Sequence, residues 1–125
     1  MALPNAYAQY NNSRILTASP AELTLMLYDG AIKFGNIAVA KMEQKDIEGA
    51  HYNIVRVEKI IDYFRETLDM KYPVAQDFER VYLYLGQRLV ECNIKKDKEI
   101  MEEVLTHLRS MRETWKQVMT KAKSA

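Results

Sequence analysis

Four stretches of this chain, each on the order of twenty residues, carry apolar side chains at intervals of three and four, and none shows the strict two-residue alternation of a strand. Apolar positions at that interval share one side of an α-helix, so the pattern selects helices and excludes a sheet. The second stretch shows it plainly, with Ile47, Ala50, Ile54, Val57, Ile61, Phe64 and Leu68 in one row. The last repeats it with Ile100, Val104, Leu108, Met111, Trp115, Val118 and Ala122. A single apolar stripe has to be buried, and another helix is what buries it.

Punctuation sets the boundaries. Ser19-Pro20-Ala21-Glu22 reads as a capping box with proline at the first helical position, where its missing N–H costs nothing. The first helix is predicted over residues 20–42, closed by Glu43-Gln44-Lys45. Asp46 caps a second over 47–70, and Lys71-Tyr72-Pro73 ends it, because proline disfavours helical geometry in the residue before it. A third covers 76–94; Asp97 then caps a fourth over 98–121. Helices of this size are about 30 Å long, and short connections force neighbours antiparallel. The expected fold class is all-α: an antiparallel up-down four-helix bundle over 19–125, with a short, mobile N-terminal segment over 1–18.

Two helices carry more apolar surface than a bundle needs. The first has a core stripe of Leu23, Leu27, Ala31, Phe34 and Ala38, and a second stripe of Leu25, Tyr28, Ile32 and Val39. In the third, Phe78, Val81, Tyr82, Leu85, Leu89 and Cys92 make one face, with Leu83, Gly86, Val90 and Ile94 nearly opposite. Something must cover a second stripe. Either the first helix is central or the N-terminal arm covers the excess, or the stripes form a groove for a partner's helices. All four glycines, Gly30, Gly35, Gly49 and Gly86, fall inside proposed helices, where each costs about 1 kcal/mol relative to alanine. Close approach of another helix, from the bundle or from a partner, would compensate. In the arm, Leu3, Tyr7 and Tyr10 are spaced to share one helical face, as a frayed terminus or as a detachable plug.

Charge and composition narrow the function. The chain has 125 residues, and 18 Lys+Arg against 17 Asp+Glu leave a net charge of 18 − 17 = +1. That length suits one domain, and the balance argues against a nucleic-acid partner, which needs a basic excess. The basic end of the fourth helix complements the helix dipole and needs no ligand. No apolar run approaches the roughly 20 residues that cross a bilayer, so no membrane insertion is expected. Met1-Ala2-Leu3-Pro4-Asn5 does not read as a secretory signal, and the single Cys92 has no partner for a disulfide within the chain; both fit a cytoplasmic location. Cys92 lies on a core stripe, which makes it a buried, unreactive thiol rather than a nucleophile.

Catalytic patterns are sparse. No glycine-rich phosphate loop, nucleophile elbow or Cys/His zinc cluster occurs. Carboxylate-bridged di-metal bundles use two Glu-x-x-His pairs, and only Glu48-Gly49-Ala50-His51 is present, His107 being preceded at that spacing by Val104. A phospho-accepting histidine at His51 would want a small residue and a lysine beside it, where Tyr52 and Asn53 stand instead. No enzyme, metal or cofactor is expected; the alternative is a phosphotransfer-type or metal-binding bundle using His51.

Thr17-Ala18-Ser19-Pro20-Ala21-Glu22-Leu23 followed by Leu25-Met26-Leu27-Tyr28-Asp29-Gly30-Ala31-Ile32 resembles the signature of the FliS family, the flagellin-specific export chaperones. The resemblance extends from Tyr10-Asn11 through Ile60-Ile61, Leu68-Asp69, Leu89-Val90-Glu91 and Leu108-Arg109 to Thr114-Trp115-Lys116. It implies a four-helix bundle that binds the C-terminal segment of flagellin in the cytoplasm. It also implies that this binding blocks premature polymerisation and helps deliver the subunit to the flagellar type III export apparatus. The tyrosine-bearing N-terminal segment would lie close to, or over, the partner surface. Joined to the spare stripes, it nominates Tyr7 and Tyr10 in the plug, and Leu25, Tyr28, Ile32, Leu83, Val90 and Ile94 as the groove lining. Met101 and Met119 could add an adaptable wall, or serve as core filler.

Overall fold

Ser19 accepts a hydrogen bond from Glu22 N–H at 3.2 Å, and this cap starts the first helix, with Pro20 in its first turn. In the computed structural model, residues 19–124 are described, with side chains through residue 121. They form four helices and no strand: α1 Pro20–Glu43, α2 Ile47–Thr67, α3 Ala75–Lys95 and α4 Lys98–Ser124. The all-α four-helix expectation holds. The segment 1–18, with Tyr7 and Tyr10, lies outside the described residues, as does the side chain of Ala122.

The connections follow from a few side chains. The Asp46 carboxylate accepts from Gly49 N–H at 2.9 Å and opens α2 after a left-handed Lys45 (φ 59°). Helix α2 stops at Thr67, three residues short of the expected 70. Leu68 turns extended, and the Asp69 carboxylate captures Lys71 N–H at 3.0 Å, offering the backbone a turn in place of another helical one. Lys96 (φ 51°) ends α3, its N–H donating to the Cys92 carbonyl. The Asp97 carboxylate then accepts from Glu99 N–H at 2.9 Å to begin α4. Both left-handed positions hold lysine where glycine is the unstrained choice.

Every helix runs antiparallel to its two neighbours. Trp115 Nε1 donates to the Ala21 carbonyl at 2.9 Å while Arg109 donates to Asn36 at 3.1 Å, so α4 descends as α1 ascends. Arg112 is ion-paired with Asp29 along the same seam. Phe64 stacks between Tyr28 and Tyr82, at 4.5 and 5.5 Å between ring centroids, and ties α2 to both flanking sides. Arg88 donates to Glu103 at 2.8 Å and Tyr84 donates to the same carboxylate at 2.8 Å, joining α3 to α4.

Helix α1 packs on α2 and α4, and α3 on the same two, so α1 and α3 face each other across the core. The core joins Tyr28, Ile54, Val57, Ile61, Phe64, Tyr82, Leu85, Leu89, Val104 and Leu108. Gly35 belongs to it for a steric reason. A Cβ there would stand 2.6 Å from Leu105 Cδ2 and 3.3 Å from Met101 Sδ, so α4 closes on α1 over this glycine and a larger residue would force the buried Leu105 to shift. Met101 is fully buried core filler.

Candidate functional site

The two spare stripes meet different fates. On α1, Tyr28 is wholly buried, and its hydroxyl lies 2.6 Å from that of Tyr82 at the middle of the bundle. Burial, and then the neighbouring Tyr82, push the Tyr28 phenol far above its ordinary pKa, so it is a permanent neutral hydrogen-bond partner. The expectation that Tyr28 lines an open groove is therefore corrected: it is core. Ile32 and Val39 are half-buried and pack against that core, and Leu25 is half-buried. The physical reason is position. Helix α1 is turned so that Tyr28 points at Tyr82 across the core, while Leu25, Ile32 and Val39 lie at the edge of its contacts with its neighbours, half-covered.

The stripe on α3 stays outside. Leu83 is 41% exposed, Val90 51% and Ile94 79%. Leu83, Gly86, Val90 and Ile94 follow one another at threes and fours and, with Gln87 beside them, share one face, turned away from Tyr82, Leu85, Leu89 and Cys92. Facing them across a shallow channel stands the outer side of α2, with His51, Glu58, Asp62 and Arg65.

Two adjoining depressions make up this channel. One, of about 280 Å³, is lined by Glu58, Asp62, Arg65, Leu83, Gly86, Gln87 and Val90. The next, of about 310 Å³, continues past Val90 to His51, Asn93, Ile94 and Lys96. Such volumes, open to solvent, sit at the bottom of the range for small-molecule pockets, and the elongated outline suits a segment of chain better. Gly86 forms part of the floor. A Cβ there would meet no atom within 4 Å, so nothing inside the bundle accounts for a glycine in mid-helix. The packing explanation that serves Gly35 fails here.

The polar wall is electrostatically uneven. Glu58 is half-buried, and its carboxyl is held above the usual range by burial first and by Asp62 one turn on, with His51 partly offsetting them. At the far end, Lys96 donates to the Asn93 side-chain oxygen at 2.8 Å, and the Asn93 amide donates to His51 Nδ1 at 2.9 Å. His51 thus ties the start of α2 to the end of α3. Among the described residues no three His, Cys, Asp or Glu side chains converge as a metal site requires, and neither the metal nor the phosphotransfer reading of His51 gains support. Cys92 is buried, donates from Sγ to the Asp97 carbonyl, and is pushed up to about 11 by burial and then Asp97, so it remains an unreactive thiol near neutrality.

Comparison with known proteins bears on what such a bundle is for. The profile of the family described as "Flagellar protein FliS" matches residues 3–122. The chain belongs to the FliS family. The flagellar secretion chaperone FliS of Bacillus subtilis is 35% identical over 119 residues, covering 95% of this chain and 90% of its own. The chaperone of the same name from Salmonella typhimurium is 33% identical over 121 residues, covering 94% and 90%. That of Campylobacter jejuni is 28% identical over 115 residues, covering 90% of each. An export-chaperone role in flagellar secretion follows from this membership. No helix among the described residues is long and apolar enough to cross a membrane.

Within the family frame, the signature block is occupied with building the bundle. Ser19 caps α1, Tyr28 bonds Tyr82, Asp29 pairs with Arg112, and Ala21 receives Trp115. Of the eight residues nominated from the sequence, the structure brings Leu83, Val90 and Ile94 together on one channel and sets Leu25, Tyr28 and Ile32 on another helix. Sequence reasoning missed Glu58, Asp62, Arg65, Gln87, Asn93 and Lys96. Residues 51, 58, 62 and 65 do share a helical face, but a polar face on an amphipathic helix reads as ordinary solvent surface.

Proposed function

We propose that the protein binds the C-terminal segment of flagellin in the cytoplasm, holds it apart from other subunits and assists its delivery to the flagellar type III export apparatus. The α2–α3 channel receives one helical part of that client. The observation that carries this reading is the row of exposed apolar residues on α3, Leu83, Val90 and Ile94, beside a glycine floor that no contact within the chain requires.

The physics suits a client that is unstructured before it binds. Covering three side chains as exposed as these contributes about 1–2 kcal/mol each, and the client's own apolar face contributes a similar amount. Ordering the client opposes this, so the channel alone does not reach the roughly 8 kcal/mol of a micromolar complex. The client must therefore engage further surface beyond the channel. Tyr7 and Tyr10, in the arm, belong to that further surface in this proposal.

The test is a calorimetric titration of the full chain with a synthetic peptide spanning the C-terminal segment of flagellin from the same bacterium. One-to-one binding with a large negative heat-capacity change is expected, because the peptide folds as apolar surface is covered. Absence of binding to the peptide and to whole monomeric flagellin would overturn the proposal.

A further inference from the structure

The channel is apolar on one side only. Its α2 wall presents Glu58 and Asp62, four residues apart on one helix face, both lining the depression that Leu83, Gly86 and Val90 close from the other side. Among the described residues neither carboxylate takes part in a hydrogen bond or an ion pair. Arg65 lines the same depression without reaching ion-pair distance of either, and α3 contributes the neutral Gln87. Glu58 also lines the adjoining depression with His51 and Lys96; both of these are engaged with Asn93, and His51 only partly offsets the crowding of charge at Glu58. Like charges at this spacing repel, and in the free protein nothing on the neighbouring helix relieves them. Other carboxylates are matched, Glu91 with Arg88 and Lys95, Glu103 with Arg88, Asp29 with Arg112, but Glu58 and Asp62 are set apart by lying together in a depression beside an exposed apolar face.

Resting on the client reading above, we propose that the channel selects a helix bearing a basic side chain: its apolar stripe lies on Leu83, Val90 and Ile94, and a lysine or arginine passes over Gly86 to pair with Glu58 and Asp62. The glycine matters to this arrangement. With no Cβ at Gly86, the guest backbone can approach α3 closely, and a long cationic side chain can lie across the floor with its stem on apolar surface and its head at the acidic wall. The apolar wall then supplies affinity and the acidic wall supplies register, since a charge opposite the pair is favoured over a neutral or acidic residue at the same place.

The experiment compares the wild-type chain, the double variant Glu58→Gln/Asp62→Asn, and Val90→Asp. Each is titrated with the flagellin C-terminal peptide at low and at high salt. The peptide's lysines and arginines are also changed singly to glutamine. The double variant should bind about fivefold more weakly at low salt and lose most of the salt dependence of the wild type. One peptide substitution should weaken wild-type binding but have no further effect on the double variant. If Val90→Asp abolishes binding while the double variant matches wild type at both salts, the charge selection is refuted and the client reading stands. If Val90→Asp binds as wild type does, the channel is not the docking surface: the charge selection and the placing of the client in this channel both fall, while flagellin binding itself stands. Concentration-dependent dimerisation that Val90→Asp removes would assign the channel to a second copy of the chain and overturn the inference.

Discussion

Gly86→Ala separates the groove account from a purely structural one, because the two predict opposite combinations of stability and binding. Gly86 lies in the interior of α3 with ordinary helical backbone, and an added methyl meets nothing within 4 Å. Alanine there should therefore gain the full difference in helix propensity, about 1 kcal/mol, with no steric penalty. For 125 residues the unfolding entropy is about 0.26 kcal/mol per kelvin, so Tm should rise by about 4 °C. The same methyl occupies the channel floor where a guest helix would lie closest. Affinity for the flagellin peptide should fall about tenfold, and Gly86→Leu should remove binding while remaining folded. Differential scanning calorimetry and titration of the same preparations give both numbers. A lowered Tm would mean that α3 is packed against something at this point. A raised Tm with unchanged affinity would mean that no client approaches Gly86.

Four further outcomes follow from the same structure. Gly35→Ala should destabilise by about 1–2 kcal/mol, since the crowding against buried Leu105 and Met101 outweighs the propensity gain; a urea midpoint at or above wild type would refute the close α1–α4 contact. Tyr28→Phe should cost about 1–2 kcal/mol by leaving the buried Tyr82 hydroxyl without its partner, and an unchanged denaturation curve would contradict the hydrogen bond. Lys45→Gly should raise stability by about 0.5–1 kcal/mol, because its left-handed backbone strains any residue with a Cβ, whereas Lys45→Val should lower it. Glu58 titrates in a direction with a definite sign. Its folded carboxyl lies above the unfolded value, so ionising it removes stability as pH rises through that interval, and the loss persists above it. Glu58→Gln should thus match wild type at acid pH and exceed it by a few tenths of a kcal/mol near neutrality; equal curves at every pH would refute the strain at this wall.

The helices were legible because their signals are local. Ser19-Pro20, Asp46, the break before Pro73 and Asp97 are each read from a few adjacent residues, and observed starts fall within a residue of the expected ones. The end of α2 was missed because Leu68 continues the apolar period while the Asp69 turn ends the helix, and a period does not report a competing side-chain hydrogen bond. The groove was half legible. Both α1 and α3 carry two apolar stripes and both pack on α2 and α4, and hydropathy cannot tell which stripe is turned to the core and which is left open. Only packing decides that Tyr28 is core and Val90 is not. The acidic wall was invisible for a related reason: Glu58 and Asp62 look like solvent surface until α3 is placed opposite them.

The central claim is that the exposed α3 face is where the client lies. Its most direct test places a photo-crosslinking amino acid at Val90 or Ile94, and as a control at Ser110, which is exposed on α4. Each protein is irradiated with monomeric flagellin, and the adducts are mapped by mass spectrometry. The account predicts adducts from positions 90 and 94 that map to the C-terminal segment of flagellin, with little from 110. Adducts from 110 alone, or none from 90 and 94 in a complex that demonstrably forms, would contradict it.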